Sequence, residues 1–124
     1  MSFGMCKWGN TITVRVNVPA DLSYTGRQRW AFKPIDACLA PLVRALNALG
    51  LHTRSCCCGH GRIDGHVLLQ DGRWIAWSDQ DTPARLAEAL GDLEGTERIE
   101  RAGALLAPYC QEQGQRRTTC HDGG

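Results

Sequence analysis

Three thiols and an imidazole stand together in Cys56-Cys57-Cys58-Gly59-His60-Gly61-Arg62. Thiolate and imidazole are preferred ligands of zinc, which takes four of them tetrahedrally. Cys57 and His60 have C-x-x-H spacing, and Cys58 and His60 have C-x-H spacing. Either spacing holds two ligands within one turn of a loop. Gly59 and Gly61 flank His60 and place no Cβ in the way of a close backbone approach. The spacing is not that of a zinc ribbon or finger, so further ligands must come from distant parts of the chain. Cys6 and Cys38 are the candidates.

Three readings of the cluster stay open. In the first, Cys6, Cys38, Cys58 and His60 close a structural zinc site, with Cys57 as the substitute for Cys58. An open variant lacks Cys6 and leaves a water on a Lewis-acidic metal beside Arg62. In the second, one thiol is a nucleophile, His60 its base and Asp64 the orienting carboxylate. In the third, the cysteines are small buried residues. Adjacent cysteines bridge each other only with strain, and a cytosolic chain keeps its thiols reduced. Arg62, Arg54 and Arg27, with Arg29 and Arg73, are candidates to line an anion pocket beside the glycine-rich loop. The loop lacks the Gly-Lys-Ser/Thr ending of a phosphate loop.

The elements that must position these residues follow from the apolar pattern. Residues 12 to 18 alternate, with Ile12, Val14, Val16 and Val18 on one face, which predicts a half-buried strand ended by Pro19. Residues 20 to 33 read as a long loop. Pro34 reads as the first residue of a helix over 34 to 49, kinked at Pro41, with Cys38 on its apolar side. Gly50 supplies the stop. Residues 51 to 55 read as a strand running into the cysteines. Asp71-Gly72 between apolar runs predicts a hairpin of 66–70 and 73–77 with a two-residue type I′ turn. Trp74 and Ala76 fall on one face of it, Ile75 and Trp77 on the other. Thr82 and Pro83 read as the cap and first residue of a helix, and Ile99 to Leu106 as a second helix or a continuation broken near Gly95.

The expected fold is therefore α/β (α+β): a small mixed sheet, one kinked helix after the first strand, a C-terminal hairpin and further C-terminal helices. Residues 1–110 form one domain, with a core at 5–80 and a helical extension at 82–107, and 111–124 form a mobile tail. A chain of 124 residues suits one domain, and 43% hydrophobic with 22% charged residues is ordinary globular usage. A formal net charge of +1 provides no strong field for nonspecific nucleic-acid or membrane binding. No apolar run approaches a membrane span, and the N-terminus lacks signal-peptide regions. A cytoplasmic protein is expected.

Four separated motifs carry a resemblance. Met5-Cys6-Lys7-Trp8-Gly9, Asp21-Leu22-Ser23-Tyr24-Thr25-Gly26, Ile35-Asp36-Ala37-Cys38-Leu39-Ala40-Pro41-Leu42-Val43 and Cys57-Cys58-Gly59-His60-Gly61 occur in one order. Over residues 5 to 77 the chain resembles a family of small uncharacterised proteins of phage, prophage and bacterial genomes. The resemblance implies that Cys6, Cys38, Cys57, Cys58 and His60 belong to one site, and it implies no activity. Cys56 stands where that family shows a small residue. A fainter similarity joins Arg54-Ser55-Cys56-Cys57-Cys58-Gly59 to a motif of the tRNA wybutosine-synthesis methyltransferase family, with His60 in place of the motif's Arg. Two functions are expected from these features. One is a zinc-binding phage-type accessory or interaction protein, the metal mainly structural, whose partner is a host protein. The other is a small metal- or cysteine-dependent enzyme acting on a nucleotide-like or RNA substrate.

Overall fold

The alternating run does form a strand. In the computed structural model, which describes residues 10–57, 65–79 and 81–111, β1 (Thr11–Val18) buries Val14, Val16 and Val18. Its partner is antiparallel β2 (Arg29–Asp36), in a register that sets Thr11 opposite Asp36 and Val18 opposite Arg29. The expected loop over 20–33 is thus a shorter connection, with a 3-10 turn at Ala20–Leu22, followed by a strand. Pro34 sits within β2 rather than opening a helix. Among the described residues β2 pairs only with β1, and an edge strand tolerates a residue with no N–H to donate.

The helix is correspondingly shorter than expected. α1 spans Ala40–Ala48, and Pro41 lies in its first turn, where the missing N–H has no intrahelical partner to lose. The proline starts this helix and does not kink it. Leu42, Val43 and Leu46 form its buried stripe, and it packs against β1 and α2 (Thr82–Gly91). Gly50 stops it with a φ of +89°.

A second antiparallel sheet has the order β3-β4-β5-β6, made of Thr53–Cys57, Gly65–Leu69, Trp74–Trp77 and Cys110–Gln111. The Asp71-Gly72 hairpin is present, but its loop has three residues. Leu69 N–H donates to Arg73 O, Gly72 N–H donates to Leu69 O, and Gly72 has a φ of +99°. That is a type I turn closed by one left-handed glycine, which requires φ > 0 at a single residue where type I′ requires two. α2 and α3 (Arg98–Leu106) are separate helices, with Gly95 at φ +86° between them. Thr82 is the buried first residue of α2 and not its cap; Asp81 precedes it, and the Thr82 hydroxyl accepts from Arg85 at 3.0 Å. Gln111, expected in the tail, pairs with Trp74 in β6. The architecture is small mixed α+β, and no described helix is long and apolar enough to cross a membrane.

The two sheets are stitched at one end by buried amides. Asn47 of α1 accepts from Asn17 N–H at 3.1 Å and donates to Val43 O at 2.9 Å and Thr53 Oγ1 at 3.0 Å. Gln70 Nε2 reaches Asn17 O, Asn17 Oδ1 and Thr53 O at 3.0 to 3.2 Å. A buried amide is tolerable only when so satisfied. The chain therefore enters β3 beside the end of β1, and Cys57 lies at the opposite end of β3.

Candidate functional site

The cysteine run begins inside β3, so Cys56 and Cys57 project from opposite sheet faces. Cys56 stands in a cross-strand row with Val67, Ile75 and Cys110 and packs against the main core. Cys57 stands in the other row, opposite His66, which is opposite Ala76. Cys57, His66, Ala76 and the neighbouring Trp74 are all buried, yet none belongs to the main core cluster. The His66 imidazole stacks on the Trp74 indole, with centroids 4.1 Å apart and planes 17° off parallel. A cysteine and a histidine thus face each other in a second buried layer. Directly opposed residues have Cβ atoms about 5 Å apart.

The expected ligands are distributed as follows. Cys38 lies in the turn between β2 and α1, exposed, and not on the apolar side of the helix. The hairpin extends to an Ala37 N–H bond to Asn10 O at 2.9 Å, which sets Asn10 beside the residue preceding Cys38. Cys6, Cys58, His60 and Arg62 lie outside the described residues, as does Asp64. Cys57 is disulfide-bonded, whereas Cys38, Cys56 and Cys110 carry no disulfide. A disulfide sulfur is no thiolate, so Cys57 in this form is not a metal ligand. Among the described residues no three of His, Cys, Asp and Glu assemble as a metal-binding group. Gly65 closes the segment after the cysteines. A Cβ there would collide with the indole ring of Trp77, so the chain can enter β4 only as glycine.

His66 is the residue that sequence reasoning missed. Its strand was read correctly, but its placement opposite Cys57 depends on the β3–β4 register. Two apolar runs flanking 58–64 would have suggested that pairing.

Of the arginines expected to hold an anion, Arg54 is engaged by both carboxylate oxygens of Asp21. Those hydrogen bonds hold the Asp21 carboxyl below its ordinary value and raise the Arg54 guanidinium. Arg73 is paired with Asp71 at 2.7 Å. Burial pushes Asp71 up, but the hydrogen bonds and charge of Arg73 outweigh it and leave the carboxyl lowered. Arg27 is exposed in the β1–β2 connection. Among the described residues Arg15 and Arg29 of the hairpin, like Arg44 and Arg98 on the helices, have no carboxylate partner. The Arg15 guanidinium sits 4.8 Å from the Trp30 ring centroid, and Arg29 sits 4.4 Å from that of Tyr24. Trp30 also meets His52 edge-on at 5.4 Å. Register places Arg15 opposite Phe32, which is 70% exposed.

Comparison with known proteins finds no matching family model, no matching curated protein and no matching solved structure.

Proposed function

We propose that this chain is a small zinc-binding interaction protein of the phage-accessory kind, in which the metal holds the fold together. Its ligands come from Cys6, Cys38, Cys57, Cys58 and His60, with His66 as an added candidate. The observation that carries the reading is the buried layer outside the main core, where Cys57 faces His66 across the β3–β4 pair. Residues joining such a layer from different segments would hold a small core at several points. The complete burial of Cys57 favours a structural role over nucleophilic catalysis, because a substrate has no approach to its sulfur.

Thiolate ligation by Cys57 first requires reduction of its disulfide. Zinc then displaces the thiol protons, so loading is pH-dependent. The test is metal analysis of reduced protein purified without added zinc, combined with thiol alkylation. One bound zinc per chain is expected. The ligand cysteines should resist alkylation until a chelator is added, whereas exposed Cys110 should react at once. Chelation or Cys58→Ser should lower the melting temperature sharply, and Cys120→Ser should leave it in place. Reduced protein without metal, with all seven cysteines labelling by exposure alone, would reject the reading.

A further inference from the structure

The outer face of the β1–β2 hairpin carries chemistry that the metal reading does not use. Trp30 and Phe32 are two residues apart on β2, so both project from one face, about 6.6 Å apart along the strand. Arg15 lies opposite Phe32 and against Trp30, which sets a guanidinium between two rings. Phe32 is 70% and Trp30 39% exposed. Large aromatics left in water on a sheet face, with a guanidinium against them, mark a face where something docks.

Charge indicates what docks. The net charge of +1 conceals a separation along the chain. Residues 10–36 carry four basic residues, Arg15, Arg27, Arg29 and Lys33, against two acidic ones, and Asp21 of those two is taken up by Arg54. Residues 81–106 carry six acidic residues against three basic. Among the described residues no carboxylate pairs with any of the four hairpin cations. Arg29 Nε is in addition a buried donor with no acceptor. Lys33 is exposed on the same edge strand, but it stands opposite Val14 and Arg29 stands opposite Val18, so both leave β2 on the face away from Phe32.

From this arrangement we infer that the Arg15–Trp30–Phe32 face of the hairpin binds single-stranded nucleic acid. Unpaired bases stack on Phe32 and on the open part of Trp30. Arg15 takes the phosphate on this face, and Lys33, exposed but leaving β2 on the opposite face with Val14, meets the bound strand only where it passes the outer β2 edge. Exposed aromatics on a sheet with cations beside them bind single strands because every base has a π-face. A duplex hides those faces within its own stack. An acidic protein segment would satisfy the cations and leave Phe32 unused. The inference is independent of the zinc reading, since no cysteine contributes to this face.

The experiment is fluorescence anisotropy at about 50 mM salt with labelled uridine and thymidine oligomers of about twelve nucleotides, a duplex of matched length and a polyglutamate competitor. The full-length protein should bind the single strands and discriminate against both controls. Phe32→Ala and Arg15→Glu should each weaken binding about tenfold, at unchanged melting temperature. Phe32→Trp should restore binding, and Arg101→Glu on α3 should leave it unchanged. A preference between uridine and thymidine oligomers would identify RNA or DNA as the source. No binding of single strands overturns the inference. Equal binding of duplex overturns it, as does displacement by polyglutamate as effective as by oligomer. Indifference to both Phe32→Ala and Arg15→Glu also overturns it.

Discussion

The two sheets bury their side chains differently. The hairpin turns Val14, Val16 and Val18 into the core and leaves Arg15, Trp30 and Phe32 on the other face. The central strands of the four-stranded sheet are buried on both faces: Val67, Leu69, Ile75 and Trp77 on one, His66, Trp74 and Ala76 on the other, with Cys57 of β3 beside His66. The primary structure reflects the contrast. β1 alternates, as a half-exposed strand must, while β5 reads Trp-Ile-Ala-Trp without a polar residue. Stability is therefore concentrated in the second sheet, whereas the hairpin keeps a face available for contact. A substitution of the same kind should have very different consequences in the two places.

The strongest test of that contrast is Ile75→Ala against Phe32→Ala. Ile75 is fully buried between strands and helices, so truncation should cost about 2–5 kcal/mol in chemical denaturation. Phe32→Ala should stay within about 0.5 kcal/mol. Equal losses would mean that the hairpin face is part of the core.

The joint between the sheets comes next. Asn47→Ala leaves the Asn17 N–H and the Thr53 hydroxyl without their partner and should cost about 1–3 kcal/mol. Hydrogen exchange should show faster opening at the β1–β3 junction than within β4 and β5. Uniform loss of protection would show that the sheets unfold as one unit.

Acid titration should give a smaller effect. Asp21 and Asp71 have folded-state carboxyls below their ordinary values, each held by an arginine. Their contribution is fully present above the unfolded-state value and is lost as pH falls through the lowered folded-state value. Asp71→Asn should therefore lower stability modestly at neutral pH, converge with the unsubstituted protein at low pH, and so flatten the acid limb of a stability-against-pH curve. Unchanged acid sensitivity in the double variant Asp21→Asn/Asp71→Asn would place the acid response elsewhere. The smallest expected effect is at the exposed Arg101–Glu97 pair on α3, 3.6 Å apart. Glu97→Ala there should cost no more than about 0.5 kcal/mol by thermal denaturation.

Local patterning determined much of this protein. The alternation of β1, the Asp71-Gly72 reversal, both faces of β5 and the apolar stripes of α2 and α3 are written in short windows, because each depends on neighbours within a turn or two. The candidate cysteines were legible as residue types for the same reason. Tertiary structure decided what depends on distant partners. β2 does not alternate cleanly and contains Pro34, so its only reason to be a strand is the ladder of hydrogen bonds from β1. With that strand in place, the helix starts later and Cys38 falls in a turn. The pairing of Cys57 with His66, and of Arg15 with Phe32, came from strand register. Shifting either strand by one residue would exchange the faces and dissolve both sites. A linear pattern states which residues alternate; only the paired backbone states what lies opposite.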